Sequence, residues 1–225
     1  MGIELRYNLI WEARVPLWLG TLVTLRVAFF SLIVSLIIGF LVWRLRDSDK
    51  SILSIPAFLY IQFFRGNALY VLMLWVFFGL PILTGISFPP FQTAVMCLGL
   101  LNSAYMSEAY RAAFSSVGRG QHDAAMALGL SQHKTLVLII IPQAIRVFVP
   151  AAANLFVDML KDAAIVGIVG VFDLMRTAYR LMHYHMRPFE FYTAAGAIYF
   201  ILVFVFSRFS TALERHFSKH ILSEA

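Results

Sequence analysis

Charge is scarce in this chain. Only 13% of its 225 residues are Asp, Glu, Lys or Arg, and 60% are hydrophobic. Soluble domains carry about 25% charged residues. A soluble fold would leave most of this apolar surface in water, so the composition excludes an ordinary globular domain and points to an integral membrane protein. Mean hydropathy, at +0.79, agrees. Cysteine is nearly absent: Cys97 stands alone in an apolar run, reads as a packed core residue and carries no redox information. A Gly-x₄-Gly-Lys-[Ser/Thr] phosphate loop is also missing, so nothing here is built to cradle ATP. Absent from the apolar runs are paired Asp, a His/Glu metal set and a Ser/His pair, which argues against an intramembrane hydrolase. His183-Tyr184-His185 has no third ligand at useful spacing and reads as an exposed loop pair, with no metal site implied.

What is present is organised for a bilayer. The net charge of +6 does not form the patch or stripe that nucleic acid would need. The basic residues gather at the ends of hydrophobic runs, where they orient helices and meet anionic lipid. Met1 to Pro16 mixes Glu4, Arg6, Glu12 and Arg14 with apolar residues; it lacks the layout of a cleaved signal and reads as an amphipathic lead-in along the interface. Five spans are expected, over about residues 17–43, 56–80, 91–110, 136–160 and 191–209, each near the ~20 residues a crossing requires. Together they form one all-α membrane domain over 1–225. Alternating them puts Arg44, Arg46, Lys50, Arg111, Arg119, Lys134, Arg208, Arg215 and Lys219 on one side. That side is expected to be cytoplasmic, with the N-terminus outside and the C-terminus inside. Lys161, Arg176, Arg180 and Arg187 run against the rule.

Between the third and fourth spans the chain turns polar. Within residues 119–136, Gln121 precedes Asp123-Ala124-Ala125, Gly129 follows, and Ile139-x-Ile141-Pro142 closes the pattern. Asp123 is expected to open a short helix and Gly129 to end it. The alanines offer a face that a partner can approach closely. Pro142 suits the first turn of the next helix, where a missing N–H costs nothing. A plain solvated loop is the bland alternative.

The spacing resembles the "EAA" signature of ABC-importer permeases, with Asp123 for the usual Glu and Ile141 for the usual Leu. Phe63-Phe64-Arg65-Gly66-Asn67 with Phe77-Phe78-Gly79-Leu80-Pro81 resembles the "FRG…FGLP" region of the polar amino-acid uptake group. Asn102-Ser103-Ala104-Tyr105-x-Ser107-Glu108 is similar to its third span. Lys161-Asp162-x-x-Ile165-Val166 is similar to its "KDTSLV" stretch, and Arg187-Pro188-Phe189-Glu190 to the lead into its last span. The resemblance implies a type I ABC-importer permease fold in a bacterial cytoplasmic membrane. It implies a coupling helix at Gln121, Asp123, Ala124, Ala125, Gly129, Ile141 and Pro142 that docks on an ATPase. The partners it implies are two ATPase subunits that bind ATP and Mg, a second permease subunit (identical or homologous), an external solute-binding protein and an amino-acid substrate. No cofactor is expected on this chain, and no covalent catalysis.

Candidate path or gate residues are the polar groups expected at membrane depth, where ionisable side chains are expensive and default to functional candidates. Arg26 can meet a substrate carboxylate, or snorkel to the interface past Trp18. Arg65 has a similar pair of readings, a substrate or gate contact or an anchor at the cytoplasmic end. Asp158, Lys161 and Asp162 share one helical face, as a structural ion pair or as part of an outer gate. Asn102, Ser103 and Asn154 suit interhelical hydrogen bonds or a path lining. A self-contained secondary transporter or channel is the competing function; it would need an internal repeat or an in-membrane carboxylate relay, and neither is visible.

Overall fold

The computed structural model describes residues 7–222. Among them every regular element is helical, as a lipid-immersed backbone must be to satisfy its own polar groups. Of the expected lead-in, residues 1–6 lie outside the described chain. The rest forms α1 (Asn8–Glu12) and the first turn of α2 (Arg14–Arg46). At its far end Trp43 is buried, stacked on Phe114 at 4.4 Å.

The second expected span is not one straight helix. α3 (Ser51–Arg65) and α4 (Leu69–Leu74) meet at a bend of 102°. Gly66 ends the first, and Ala68, at ψ 126°, starts the second from an extended conformation. α4 runs through a π-helical turn at Trp75–Gly79 into α5 (Leu80–Thr84).

α6 (Pro90–Ser115) corresponds to the third span, and it is the centre of the molecule. It is too polar to count as a crossing helix by length and hydropathy alone; the three that qualify are Arg14–Arg46, Gln132–Val169 and Pro188–Phe217, with the bent α3–α4/α5 pair as a fourth. Its neighbours explain this. α6 buries Thr93, Asn102, Ser103 and Ser107 against other helices, so it need not be lipophilic all round. Its main partner is α2, held close by small residues. A Cβ on Gly99 would lie 2.7 Å from Val34, and one on Gly39 2.8 Å from Met106. Close backbone approach of this kind is how helices associate where lipid removes the hydrophobic drive. Ser31 adds a hydrogen bond to the Val95 carbonyl, and Tyr60 on α3 bonds the Ser103 hydroxyl at 2.7 Å.

After α7 (Arg119–Ala127) and α8 (Gln132–Thr135), a second π-helical turn at Leu136–Ile140 leads into α9 (Ile141–Asp162). Pro142 therefore sits inside a continuous helical run, not at a fresh helix start. Both π turns end two residues before a proline, Pro81 and Pro142. A proline has no N–H for the carbonyl four residues back, and a widened turn relieves that fault. A 3₁₀ segment, Ala163–Val169, extends α9 to Gly170. α10 (Leu174–His185) and α11 (Pro188–Leu222) complete the chain. His183 and His185 fall in the last turn of α10, not in a loop, and His185 stacks on Phe191.

Candidate functional site

Two regions carry polar groups that the packing alone does not need. The first is the connection between α6 and α9. α7 opens at Arg119 behind an extended Gly118, so Asp123 lies mid-helix and not in the first turn expected of it. Gly118 is the nearest residue whose backbone leaves the preceding turn, and the helix starts there. The stop is where the sequence placed it. Gly129 has φ +78°, its N–H donates to the Met126 carbonyl, and the Leu130 N–H reaches back to the Ala125 carbonyl. That is a Schellman closure, which favours glycine at the left-handed position.

The two alanines differ in exposure. Ala124 is exposed, whereas Ala125 is 2% exposed and turned against its own chain. Gln121 and Asp123 are exposed, with Asp123 Oδ1 3.6 Å from His122 Nδ1. Met126 and Leu128 are exposed too, Leu128 to 82%. Two apolar side chains this bare on a polar segment make it a candidate interaction surface. Neither residue stood out in the sequence, because Met and Leu in a helical stretch read as ordinary helix formers. Ile141 is half-buried and Pro142 exposed beyond the π turn.

The second region is one face of α9. Asn154, Asp158 and Lys161 are exposed and Asp162 is half-buried, at spacings of four, three and one. Asp158 Oδ1 and Lys161 Nζ pair at 2.6 Å, and the Ser210 hydroxyl donates to Asn154 Oδ1 at 2.7 Å. Gln132–Val169 is the least covered of the three long apolar helices. A polar stripe on it cannot face hydrocarbon; it needs water or another subunit.

Beyond that stripe, a polar knot ties the 3₁₀ segment to α10. Asp173 is fully buried, and its carboxylate caps α10 by accepting from the Met175 and Arg176 N–H groups at 3.0 and 3.1 Å. It also accepts from the Tyr199 hydroxyl at 3.3 Å, while the Leu174 N–H donates to Thr24 on α2. Burial pushes the Asp173 carboxyl above its usual value, and these donors pull part of the way back. Gly167 is there because nothing larger fits: a Cβ would lie 2.8 Å from Asp173 Oδ1.

The family model described as "binding-protein-dependent transport system inner membrane component" matches residues 50–219, well over half the chain. The chain belongs to this permease family. It is 34% identical over 212 residues to the arginine transport system permease protein ArtQ of Bacillus subtilis (strain 168), covering 92% of this chain and 97% of that protein. A crystal structure of an amino acid ABC transporter with histidines superposes at TM-score 0.89 with 31% identity, over 95% of this chain and 100% of that one. The MetNI methionine ABC transporter in inward-facing form, 18% identical at TM-score 0.72 and covering 95% and 99% of the two chains, shares the fold.

The remaining candidates of this permease do not converge on the α9 stripe. Arg26 is exposed on α2 in line with Leu19, Phe30, Ile33 and Ile37, an apolar surface in which snorkelling is the simplest fate of a cation. Arg65 stands at the α3–α4 bend with its guanidinium 5.4 Å from the Tyr105 ring. Asn102 is buried and donates to the Leu98 carbonyl of its own helix. Ser103 is buried in its bond to Tyr60. Glu108 and Arg111 pair at 2.8 Å. Among the described residues no group of three His, Cys, Asp or Glu could hold a metal.

Proposed function

We propose that this permease passes a polar amino acid across a bacterial cytoplasmic membrane by alternating access, driven by ATP hydrolysed on a separate subunit. The observation that carries the coupling is the exposed α7–Gly129 connection, with Leu128 and Met126 bare beside Gln121, Asp123 and Ala124. Two ATPase subunits would hold one such connection each, the second belonging to another permease subunit. ATP binding draws the connections together, and the attached spans turn the path outward; hydrolysis and release return it inward. Ile141 and Pro142 join the connection to α9, so movement of α7 is passed to the helix with the polar face. Asn154, Asp158, Lys161 and Asp162 line the path on that face. ATP and Mg are bound by the ATPase, and this chain performs no covalent step. A solute-binding protein delivers cargo at the side reached by the end of α9, which is external, with the N-terminus outside and the C-terminus cytoplasmic.

The relatives named for arginine and crystallised with histidines support an amino-acid cargo. Reconstitution of the complete complex in liposomes tests this. Uptake of labelled arginine, histidine or another polar amino acid that needs ATP, the ATPase and the binding protein is expected. Uptake by the purified chain alone, down an ion gradient, would establish a secondary transporter instead.

A further inference from the structure

Among the described residues, two cations near the proposed external end of the molecule have no counter-charge. Arg176 and Arg180 stand one turn apart on α10, at 5.4 and 5.0 Å from the Phe172 ring. Among the described residues neither is within ion-pair range of a carboxylate. The nearest in sequence, Asp173, is occupied by backbone N–H groups and Tyr199. Arg176 is not loose. Its Nη1 donates to the Gly167 carbonyl at 2.6 Å, while its Nε is enclosed and finds no acceptor. The guanidinium is therefore braced by one bond and has one enclosed donor without a partner, an arrangement that natural structures seldom leave without a reason. Beside it opens a cavity of about 540 Å³, lined by Tyr70, Ile165, Ile168, Met175, Arg176 and Tyr179. A concave, mostly apolar site with one fixed polar group orients a small amphipathic molecule.

We infer that this cavity is an external receiving site for the transported amino acid, with Arg176 binding its α-carboxylate and the apolar wall holding its side-chain carbons. The inference rests on the amino-acid reading above. A guanidinium suits the role because its planar fork matches a carboxylate and never loses its charge. Burial of the stem and the Gly167 bond pre-set the geometry, so little side-chain freedom remains to be lost on binding. Arg180 does not line this cavity; it borders a neighbouring one with Thr177 and Tyr184 and adds only longer-range attraction. The site joins the 3₁₀ segment that continues α9, so cargo received here stands at the end of the proposed path.

The test uses the assembled permease–ATPase complex in nanodiscs, with ligand binding read without the binding protein and its stimulation of ATP hydrolysis read with it. The probes are the tritiated amino acid that wild type takes up in liposomes and its α-carboxamide. Wild type is expected to prefer the acid. Arg176→Gln should weaken the acid by roughly tenfold, the scale of one charge-assisted hydrogen bond, and leave the amide unchanged; Arg176→Lys should keep part of the preference. Equal weakening of both ligands would mean that Arg176 only braces Gly167, and would overturn the site. An unchanged preference with loss of stimulation by the binding protein would overturn it too, assigning Arg176 to an acidic side chain of that protein. Absence of amino-acid uptake by wild type would instead reject the function itself.

Discussion

Gly129 would meet no atom within 4 Å if it carried a Cβ, yet its φ of +78° makes any side chain there strained. Gly129→Ala should cost about 1–2 kcal/mol locally and lower ATP-coupled uptake. Gly129→Asp should abolish uptake while insertion and purified yield stay normal; normal uptake by that variant would remove the connection from the coupling machinery. Gly167 is the opposite case, confined by space and not by angle. Gly167→Ala pushes on Asp173 Oδ1 and Arg176 Cβ and should lower the thermal midpoint in detergent, by about 1–3 kcal/mol as overpacking does. Asp173 gives this region a pH signature. Its folded carboxyl lies above its usual value because burial disfavours the charge. Its contribution to stability is thus complete below the ordinary carboxylate range and is lost as pH rises through the raised value. Across that window the wild-type midpoint should fall relative to Asp173→Asn, whose own profile should be flatter. Parallel profiles would show that Asp173 carries no such shift.

At the scale of elements, the two π turns are the features that sequence periodicity hides. Leu136–Ile140 widens one turn ahead of Pro142, and this fixes the angular register between the exposed α7 connection and the polar face of α9. Pro142→Ala restores the missing N–H and lets the turn tighten. The variant should match or exceed wild type in thermal stability but transport less per ATP hydrolysed, measured in the same liposomes. Unaltered coupling would mean that register across the π turn is unimportant. The second span teaches a related lesson. Pro56 to Leu80 is apolar enough to read as one crossing helix, and Arg65-Gly66-Asn67 looks like a mere interruption. A bend of 102° follows because Gly66 and the extended Ala68 break the backbone ladder there. The size of such a bend depends on what the two halves pack against, and no local pattern encodes it.

On the whole-molecule scale, the prediction concerns which surfaces meet water. In a Cys97→Ala background, cysteines at Asn154 and Asp158 should react with a membrane-impermeant thiol reagent in the assembled complex, whereas cysteines at Ile33 and Phe200 should not. These four residues are all exposed in the single chain, so only the proposed aqueous path separates them. Equal protection of all four would dismiss α9 as its lining. Much of the architecture is determined by the sequence alone: scarce charge forces a membrane protein, apolar runs of crossing length force helices, and Gly129 with the Asp123–Pro142 spacing marks the connection. These are local or compositional properties, set by backbone chemistry and by the solvent. Only the tertiary structure decided that α6 can be polar because other helices shield it, that Ala125 turns inward while Leu128 is bare, and that Asn102 and Ser103 are enclosed while Asn154 and Asp158 open outward. Which way a side chain faces depends on helix rotation and on neighbours remote in the chain, and those are fixed by packing, not by periodicity.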